Sequence, residues 1–128
     1  MIKRIHSGGP FEEKIGYCRT VVAGGFAHLA GTVCGTDPQT GEDTTDVVKQ
    51  CEGILNVLSD ALGKAGCGFK DVVRVNYYLP DAAEFEPCWP LLHAAFGDNP
   101  PAATMIECGL IAPHFRIEIE LTALVPGH

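Results

Sequence analysis

The sequence predicts an α+β fold in which a mixed, mostly antiparallel β-sheet carries two helices on one face. Three observations lead to this prediction. Segments with the two-residue period of a strand lie towards both ends of the chain, the centre has the three- and four-residue period of a long helix, and a second, shorter helical segment follows the fourth strand. Since strands come from both ends of the chain, we expect them to join one sheet.

The first part of the chain has the pattern of an edge strand followed by a hairpin. Ile2 to Ile5 is predicted to form the edge strand. Tyr17 to Val22 is β-branched and aromatic, Ala23-Gly24-Gly25 is a turn, and Phe26 to Ala30 runs back. Glycine supplies the positive φ that a tight hairpin turn requires, so the two segments are predicted to pair.

The long helix is predicted from a stripe of apolar residues. Thr44 or Thr45 is its predicted N-cap, because a hydroxyl can accept a hydrogen bond from the first free amides, and Gly66 is its predicted end. The stripe contains Val47, Cys51, Ile54, Leu55, Leu58, Leu62 and Ala65.

Three further strands and the second helix complete the predicted order β-β-β-α-β-α-β-β. The helix runs from about Phe85 to Phe96, with its prolines in the first turn, where amide donors are unpaired. Asn99 to Glu107 is a proline turn that leads into a strand, and Phe115 to Leu121 is the last strand. Asp71 to Leu79 is predicted to form a strand. One side of this strand is predicted to carry Val73, Val75, Tyr77 and Leu79.

The sheet face opposite the helices must also be covered, because an apolar sheet face left in water promotes aggregation. A trimer that closes three sheets around an axis would cover it, although the sequence alone does not count subunits.

Length and composition limit the possible functions. The 128 residues predict a single domain over residues 1–128. No segment approaches the ~20 continuous apolar residues of a membrane span, and no signal peptide is recognised, so we expect a cytoplasmic protein without a membrane partner. The net charge of −7 and the scattered Lys and Arg residues count against a nucleic-acid partner.

No metal and no cofactor are expected. The five histidines lack the spacing of metal ligands, and neither a phosphate-binding loop nor a dinucleotide fingerprint is present. The six cysteines form no C-x-x-C pair and are expected to be reduced, although a reactive thiol beside a cation remains the alternative.

Glu118 is the candidate catalytic residue. Strand alternation places Glu118 and Glu120 opposite Ile117 and Ile119. One interpretation is a solvated charged face, which is common on strands. The other is that Glu118 faces a pocket, holds a water and serves as general acid or base if its pKa is raised.

Four other residues are candidates for binding a substrate. Tyr17 and Arg19 are predicted to share one face of their strand, either as simple packing or as a pocket wall whose guanidinium binds a carboxylate. Ala103 and Thr104 follow the proline turn, either as plain turn residues or as a small oxyanion site of amides and a hydroxyl.

A set of motifs in a fixed order points to a known family. Together they resemble the Rid superfamily, also called the YjgF family, over nearly the whole chain. The motifs are Ile15-Gly16-Tyr17, Leu29-Ala30-Gly31, Gln50 with Leu55-Asn56, Ala65-Gly66, Asp71-Val72-Val73, Leu79-Pro80-Asp81 with Phe85, Pro101-Ala102-Ala103-Thr104 and Ile117-Glu118-Ile119-Glu120.

The resemblance implies a chorismate-mutase-like fold and a homotrimer with a β-barrel-like centre and small-molecule pockets between subunits. The best-known members of this family hydrolyse reactive imines and enamines without cofactor or metal and release ammonia.

Residue by residue, Tyr17 matches the family's pocket tyrosine and Glu118 matches the glutamate that holds the attacking water. Ala103 stands where the family has its carboxylate-binding arginine, and Ala30 stands where it has a serine. A charged hydrogen bond is worth ~1.5–3 kcal/mol, so efficient deamination of 2-imino acids is not expected. Arg19 is a candidate replacement for the missing cation.

Three functions follow as hypotheses. The first is a cofactor-free hydrolase of small imine- or enamine-type compounds. The second is a metabolite-binding or regulatory trimer without turnover. The third, against which the acidic charge counts, is an endoribonuclease or translation inhibitor.

Overall fold

Strands from both ends of the chain form one six-stranded sheet. In the computed structural model, which describes residues 1–127, the strands are β1 (Lys3–Ile5), β2 (Thr20–Ala23), β3 (Phe26–Thr32), β4 (Val72–Leu79), β5 (Ala102–Glu107) and β6 (Glu118–Leu124). Their order across the sheet is β1-β2-β3-β6-β4-β5. The β4–β5 pair is parallel and the other pairs are antiparallel, which confirms the predicted mixed sheet.

The helices are α1 (Pro10–Ile15), α2 (Val47–Lys64) and α3 (Trp89–Phe96). α2 and α3 share one hydrophobic core with one face of the sheet, as predicted. Ile54, Leu58 and Leu62 of α2 are fully buried there, as are Val75 and Ile119 of the central strands. Each such side chain contributes ~1.5–3 kcal/mol to stability by leaving water.

The β2–β3 hairpin turns on two glycines, as predicted. Gly24 and Gly25 have φ values of 59° and 85°, in the left-handed region that glycine adopts without strain. The turn pairs Thr20 with Leu29 and Ala23 with Phe26. This register brings the start of β2 alongside the second half of β3.

α2 is the long amphipathic helix, but its N-cap is not the predicted threonine. The Asp46 carboxylate accepts hydrogen bonds from the amides of Val48 and Lys49, at 2.9 and 3.2 Å. Aspartate is as good an N-cap as threonine, and the helix begins one residue later than a Thr45 cap, or two later than a Thr44 cap, would place it. Gly66, with φ 80°, ends the helix as predicted. Within residues 1–127, no helix is long and apolar enough to cross a membrane.

The predicted faces of β4 are correct except at its start. Val75, Tyr77 and Leu79 are buried as predicted, whereas Val72 is buried and Val73 is 44% exposed. The pairing with β6 shifts its register between Val72 and Arg74. Such a bulge inserts an extra residue and reverses the alternation on one side of it, which a period-two pattern cannot predict.

The second helix starts later than predicted. It begins at Trp89 rather than Phe85, after the short 3₁₀ turns Ala82–Glu84 and Glu86–Cys88. The Cys88 amide donates to the Phe85 carbonyl, three residues back, at 2.9 Å. Pro87 and Pro90 lack amide donors, so this segment begins with tighter, shorter-range hydrogen bonds.

α1 lies in a segment for which no helix was predicted. It begins with Pro10, and the Glu12 carboxylate accepts hydrogen bonds from the amides of Gly9, at 2.7 Å, and Ser7, at 3.1 Å. The hydroxyl of Ser7 also donates to Glu12 and, as the largest cause, lowers the pKa of this carboxyl to about 2. Six residues are too few to show a helical period, so only the proline and the glutamate could have indicated this helix.

A buried glutamine joins two loops at one end of the sheet. Gln50 is fully buried, and its Nε2 donates to the carbonyls of Thr44, at 2.8 Å, and His114, at 2.9 Å. Its Oε1 accepts from the Arg116 amide at 2.8 Å. The β3–α2 loop is therefore fixed to the segment that enters β6.

Replacing Gln50 with leucine should destabilise the protein by about 2–4 kcal/mol, because three hydrogen bonds of a fully buried side chain are lost and two carbonyls and one amide lose their partner. Urea unfolding, compared with the exposed α2 variant Ser59→Ala, measures the difference. A change in Gln50→Leu no larger than that in Ser59→Ala would contradict the role of this side chain.

Candidate active site

β6 places alternate side chains on opposite faces of the sheet, as predicted. Ile117, Ile119 and Leu121 point into the core and are at most 3% exposed. Glu118 and Glu120 therefore point to the face opposite α2 and α3, which we call the open face. Because β6 lies between β3 and β4, both carboxylates are near the middle of the sheet rather than at its edge.

Glu118 lies directly over the backbone of β3. A Cβ atom on Gly31 would overlap Glu118 Oε2 and would lie 3.1 Å from its Cδ, so glycine at position 31 leaves the space that the carboxylate occupies. Partial burial raises the pKa of the Glu118 carboxyl, and the Glu120 charge raises it further, whereas the Arg19 guanidinium opposes both effects. A carboxyl with a raised pKa is better suited than an ordinary one to accept and return a proton.

Arg19 is fixed against the same strand by one of its nitrogens. Its Nη1 donates to Thr32 Oγ1 at 2.8 Å, to the Gly31 carbonyl at 3.1 Å and to the Ala30 carbonyl at 3.4 Å. Within residues 1–127, its Nη2 and Nε have no hydrogen-bond acceptor. The guanidinium is therefore held in place while donors remain for an anionic group.

Tyr17 contacts Arg19, but not in the predicted way. Both residues precede β2, which begins at Thr20, so the prediction that they share a strand face was wrong. The chain leaves α1 through Gly16, at φ 94°, and reaches the sheet at the Arg19 carbonyl, which accepts from the Ala30 amide at 2.9 Å. The two side chains meet instead by stacking, with Arg19 Cζ 5.9 Å from the centre of the Tyr17 ring.

A cavity of about 480 Å³ opens beside Tyr17 and is also lined by Arg4, Glu13 and Cys18. This volume lies in the range of small-molecule sites. Tyr17 is therefore next to a space that can take a small compound.

Ala103 and Thr104 lie on β5, the edge strand beyond β4. The register pairs Ala103 with Val75, on the core side, and Thr104 with Asn76, on the open face. The Thr104 hydroxyl accepts a hydrogen bond from Arg74 Nη2 at 2.6 Å.

Within one protomer the five candidate residues fall into two groups. In the first group, Arg19 stacks over the Tyr17 ring and its charge acts on the Glu118 carboxyl. Thr104 is two strands from Glu118 and two residues along, which corresponds to about 12 Å between their backbones. Neither Thr104 nor its neighbour Ala103 joins the first group within the chain.

The network that holds Glu120 was not predicted from the sequence. Glu120 Oε1 accepts from Asn76 Nδ2 at 3.0 Å and from the Tyr78 hydroxyl. The hydrogen bond from the Tyr78 hydroxyl to Glu120 is the largest of the causes that raise the pKa of Tyr78 to about 12. Alternation on β4 and β6 was predicted, but the pairing of these two strands, which places Asn76 opposite Glu120, was not.

Among residues 1–127, no group of three or more His, Cys, Asp or Glu side chains is arranged to hold a metal ion.

Comparison with known proteins identifies the family. The family model described as Endoribonuclease L-PSP matches residues 11–125. The chain belongs to this family, the YjgF or Rid family. A RutC family protein from Pyrococcus horikoshii is 32% identical over 108 residues, which are 84% of this chain and 85% of that protein. Human 2-iminobutanoate/2-iminopropanoate deaminase is 27% identical over 126 residues, which are 97% of this chain and 91% of that protein.

A solved structure of a YjgF/YER057c/UK114 family member from Mycobacterium tuberculosis superimposes with a TM-score of 0.87 at 33% identity, covering 98% of this chain and all of that one. The YjgF-type fold predicted from the ordered motifs is therefore confirmed.

Replacing Glu118 with glutamine should stabilise this YjgF-family chain increasingly as pH rises above 4.5. Because the pKa of Glu118 is raised on folding, the folded protein binds the carboxyl proton more tightly than the unfolded chain does. The wild type therefore loses stability as pH rises above 4.5, the pKa of this carboxyl in the unfolded chain, and the glutamine variant does not. Melting temperatures of the variant and wild type at pH 4 and pH 7.5 measure this.

The exposed variant Glu86→Gln corrects for the loss of one negative charge from a chain of net charge −7. After this correction, the gain in melting temperature of Glu118→Gln over the wild type should be larger at pH 7.5 than at pH 4. An equal gain at both pH values would contradict the environment described for Glu118.

Proposed function

We propose that this chain is a cofactor-free hydrolase of small imine-type compounds, with Glu118 as the proton-transferring residue and Tyr17 and Arg19 as substrate-binding residues. The observation that carries the proposal is the half-buried Glu118 carboxyl, whose pKa is raised and which lies within the electrostatic reach of Arg19. The similarity to human 2-iminobutanoate/2-iminopropanoate deaminase supports the class of reaction.

The reaction needs one group that carries a proton between two atoms. Glu118 takes a proton from water as the water oxygen bonds to the imine carbon, and the C=N electron pair moves to nitrogen. The carboxyl returns that proton to nitrogen. The hydroxyl proton then follows to nitrogen, the C–N bond breaks, and ammonia and a carbonyl compound leave. All atoms come from imine and water, so no further reactant is required.

Arg19 is the cation beside Tyr17 and Glu118 that could hold an anionic substrate group. Its free Nη2 and Nε donors form part of a planar fork that suits a carboxylate. Its Nη1 is committed to β3, which limits the geometry of that contact. We therefore expect slower turnover of 2-imino acids than in a chain with an arginine at position 103.

We also propose that the chain forms a homotrimer, in which the open face is covered and Ala103 and Thr104 of one protomer approach the Glu118 group of another. Three apolar residues of the open face, Phe26, Ile106 and Leu124, are 39–48% exposed in one protomer. Exposed apolar side chains on one sheet face favour association.

Sedimentation equilibrium should give about three times the 13.6 kDa chain mass. Leu124→Lys should shift the mass towards one chain, because a charge would be buried in the interface, whereas Ile111→Lys, at a 75% exposed residue outside the sheet, should not. A wild-type chain that sediments as a monomer would refute the trimer and the shared pocket.

The hydrolase is tested with 2-aminoacrylate generated in situ while ammonia release is followed. Glu118→Gln should slow the enzyme-dependent rate by about 10²–10⁴-fold, because the proton carrier is lost. Arg19→Gln should raise KM by about tenfold or more, because a charged contact is lost. Glu86→Gln, at an exposed residue away from the site, is the control.

If the protein releases ammonia no faster than buffer alone, the hydrolase proposal is wrong. A ligand-induced thermal shift that depends on Arg19 would then favour the alternative, a metabolite-binding trimer without turnover. The endoribonuclease named in the family description has no support from the charge of this chain. RNA binding by the protein that weakens as salt is added would favour that activity.

A further inference from the structure

Two cysteines that the proposed reaction does not use lie in the same hydrophobic core, on the side of the sheet that the helices cover. Cys51 lies on α2, and Cys88 is the last residue of the 3₁₀ turn Glu86–Cys88. Both side chains are fully buried, and both are free thiols. Because the pair lies inside one protomer, its geometry does not depend on the proposed trimer.

Cys88 packs against the turn of α2 that carries Cys51. The Cys88 sulfur lies 3.8 Å from the Val47 carbonyl oxygen. In an α-helix that carbonyl accepts from the amide four residues on, which is the amide of Cys51, and side chains four residues apart lie on the same face. The two thiols also hydrogen-bond to each other, and this bond and burial raise the pKa of the Cys51 thiol. The two sulfurs are therefore neighbours.

Of the two chain segments that bring these thiols together, the one that carries Cys88 is the weaker. Residues 82–88, which we call the 3₁₀ segment, form two short 3₁₀ turns, whereas Cys51 lies within a helix of 18 residues. The hydrogen bonds of 3₁₀ turns have poorer geometry than those of an α-helix. We therefore expect the 3₁₀ segment to open locally while α2 stays folded.

One ion pair holds the 3₁₀ segment against the strand that carries the candidate acid. The Glu84 carboxylate accepts from Arg116 Nε at 2.7 Å, and Arg116 lies two residues before Glu118. The Cys88 thiol points back to the same residue, because its sulfur lies 3.7 Å from the Glu84 carbonyl oxygen. Loss of this ion pair should therefore make opening of the segment easier.

We propose that Cys51 and Cys88 form a redox-sensitive pair, which a peroxide converts to a disulfide that ties the 3₁₀ segment to α2. A thiol that stays buried does not react with a peroxide, so the opening of the segment sets the rate of the first step. The proposal does not rest on the hydrolase, since neither thiol lies among the residues assigned to that reaction.

The chemistry needs only the two thiols and one peroxide. The Cys88 thiolate attacks a peroxide oxygen, the O–O bond breaks, and the displaced hydroxide takes the thiol proton, which leaves a sulfenic acid and water. The Cys51 thiol then attacks the Cys88 sulfur, the S–O bond breaks, and a second water leaves. The peroxide has accepted the two electrons that the thiols lose, and a dithiol reductant reverses the change.

The first test is the treatment of the wild type with hydrogen peroxide at neutral pH. The remaining thiols are then blocked with N-ethylmaleimide in urea, and the digested protein is mapped by mass spectrometry without reduction. The peptides of Cys51 and Cys88 should be joined by a disulfide within one chain. Treatment with dithiothreitol should release them.

The disulfide should also stabilise the chain, because it closes the loop from residue 51 to residue 88 in the unfolded state. The urea midpoint of the oxidised wild type should lie about 1–2 M above that of the reduced protein. Cys51→Ala and Cys88→Ala should each lose this difference between oxidised and reduced protein. Cys67→Ala, which removes a half-buried thiol beyond the end of α2, is the control and should keep it.

The opening step is tested by two matched charge variants of the 3₁₀ segment. Glu84→Gln removes the ion pair with Arg116 and should form the Cys51–Cys88 disulfide about two- to fivefold faster than the wild type. Glu86→Gln removes the same charge at an exposed residue of the same segment and should react at the wild-type rate.

Three results would overturn the proposal. The first is a wild type without the Cys51–Cys88 disulfide after the exposed Cys108 of the same sample has been oxidised. The second is an equal rise of the urea midpoint in Cys51→Ala and the wild type. The third is an equal rate of disulfide formation in Glu84→Gln and Glu86→Gln. The peptide map of the wild type decides the first point even if a variant fails to fold, and failure of the ammonia assay would leave all three measurements unaffected.

Discussion

The two-residue period of β6 is the constraint on which the rest of the molecule depends. One side of this strand supplies Ile117, Ile119 and Leu121 to the core, and the other side presents Glu118 and Glu120. A slip of one residue would bury two carboxylates and expose the isoleucines, so core packing fixes the position of the charges. The same free energy that folds the sheet therefore also places the candidate acid.

Glu118 is held between opposing influences. Burial and the neighbouring Glu120 charge favour its protonated form, and the Arg19 guanidinium favours its ionised form. Glu120 is in turn fixed by Asn76 and Tyr78 on the next strand. The pKa of one carboxyl thus depends on side chains from β6, from β4 and from the segment that precedes β2.

The sequence predicts what depends on local period and on turn chemistry. The sheet, the α2 stripe and the Gly24-Gly25 hairpin follow from such patterns, and the ordered motifs point to the family. Features that depend on non-local pairing escape prediction. These include the bulge at Val73 and the Asn76–Glu120 contact, for which the neighbours of β6 must be known. Tyr17 and Arg19 were predicted together for the wrong reason, because α1 is too short to show a period.

The contact between Gly31 and Glu118 has a consequence for tracing this chemistry through related chains. A β-carbon at position 31 would displace the Glu118 carboxylate from the place it occupies above the strand. A homologue with a larger residue at position 31 should therefore hold a glutamate at position 118 in a different rotamer, so the presence of this glutamate alone does not show that a related chain keeps the carboxylate in the same place.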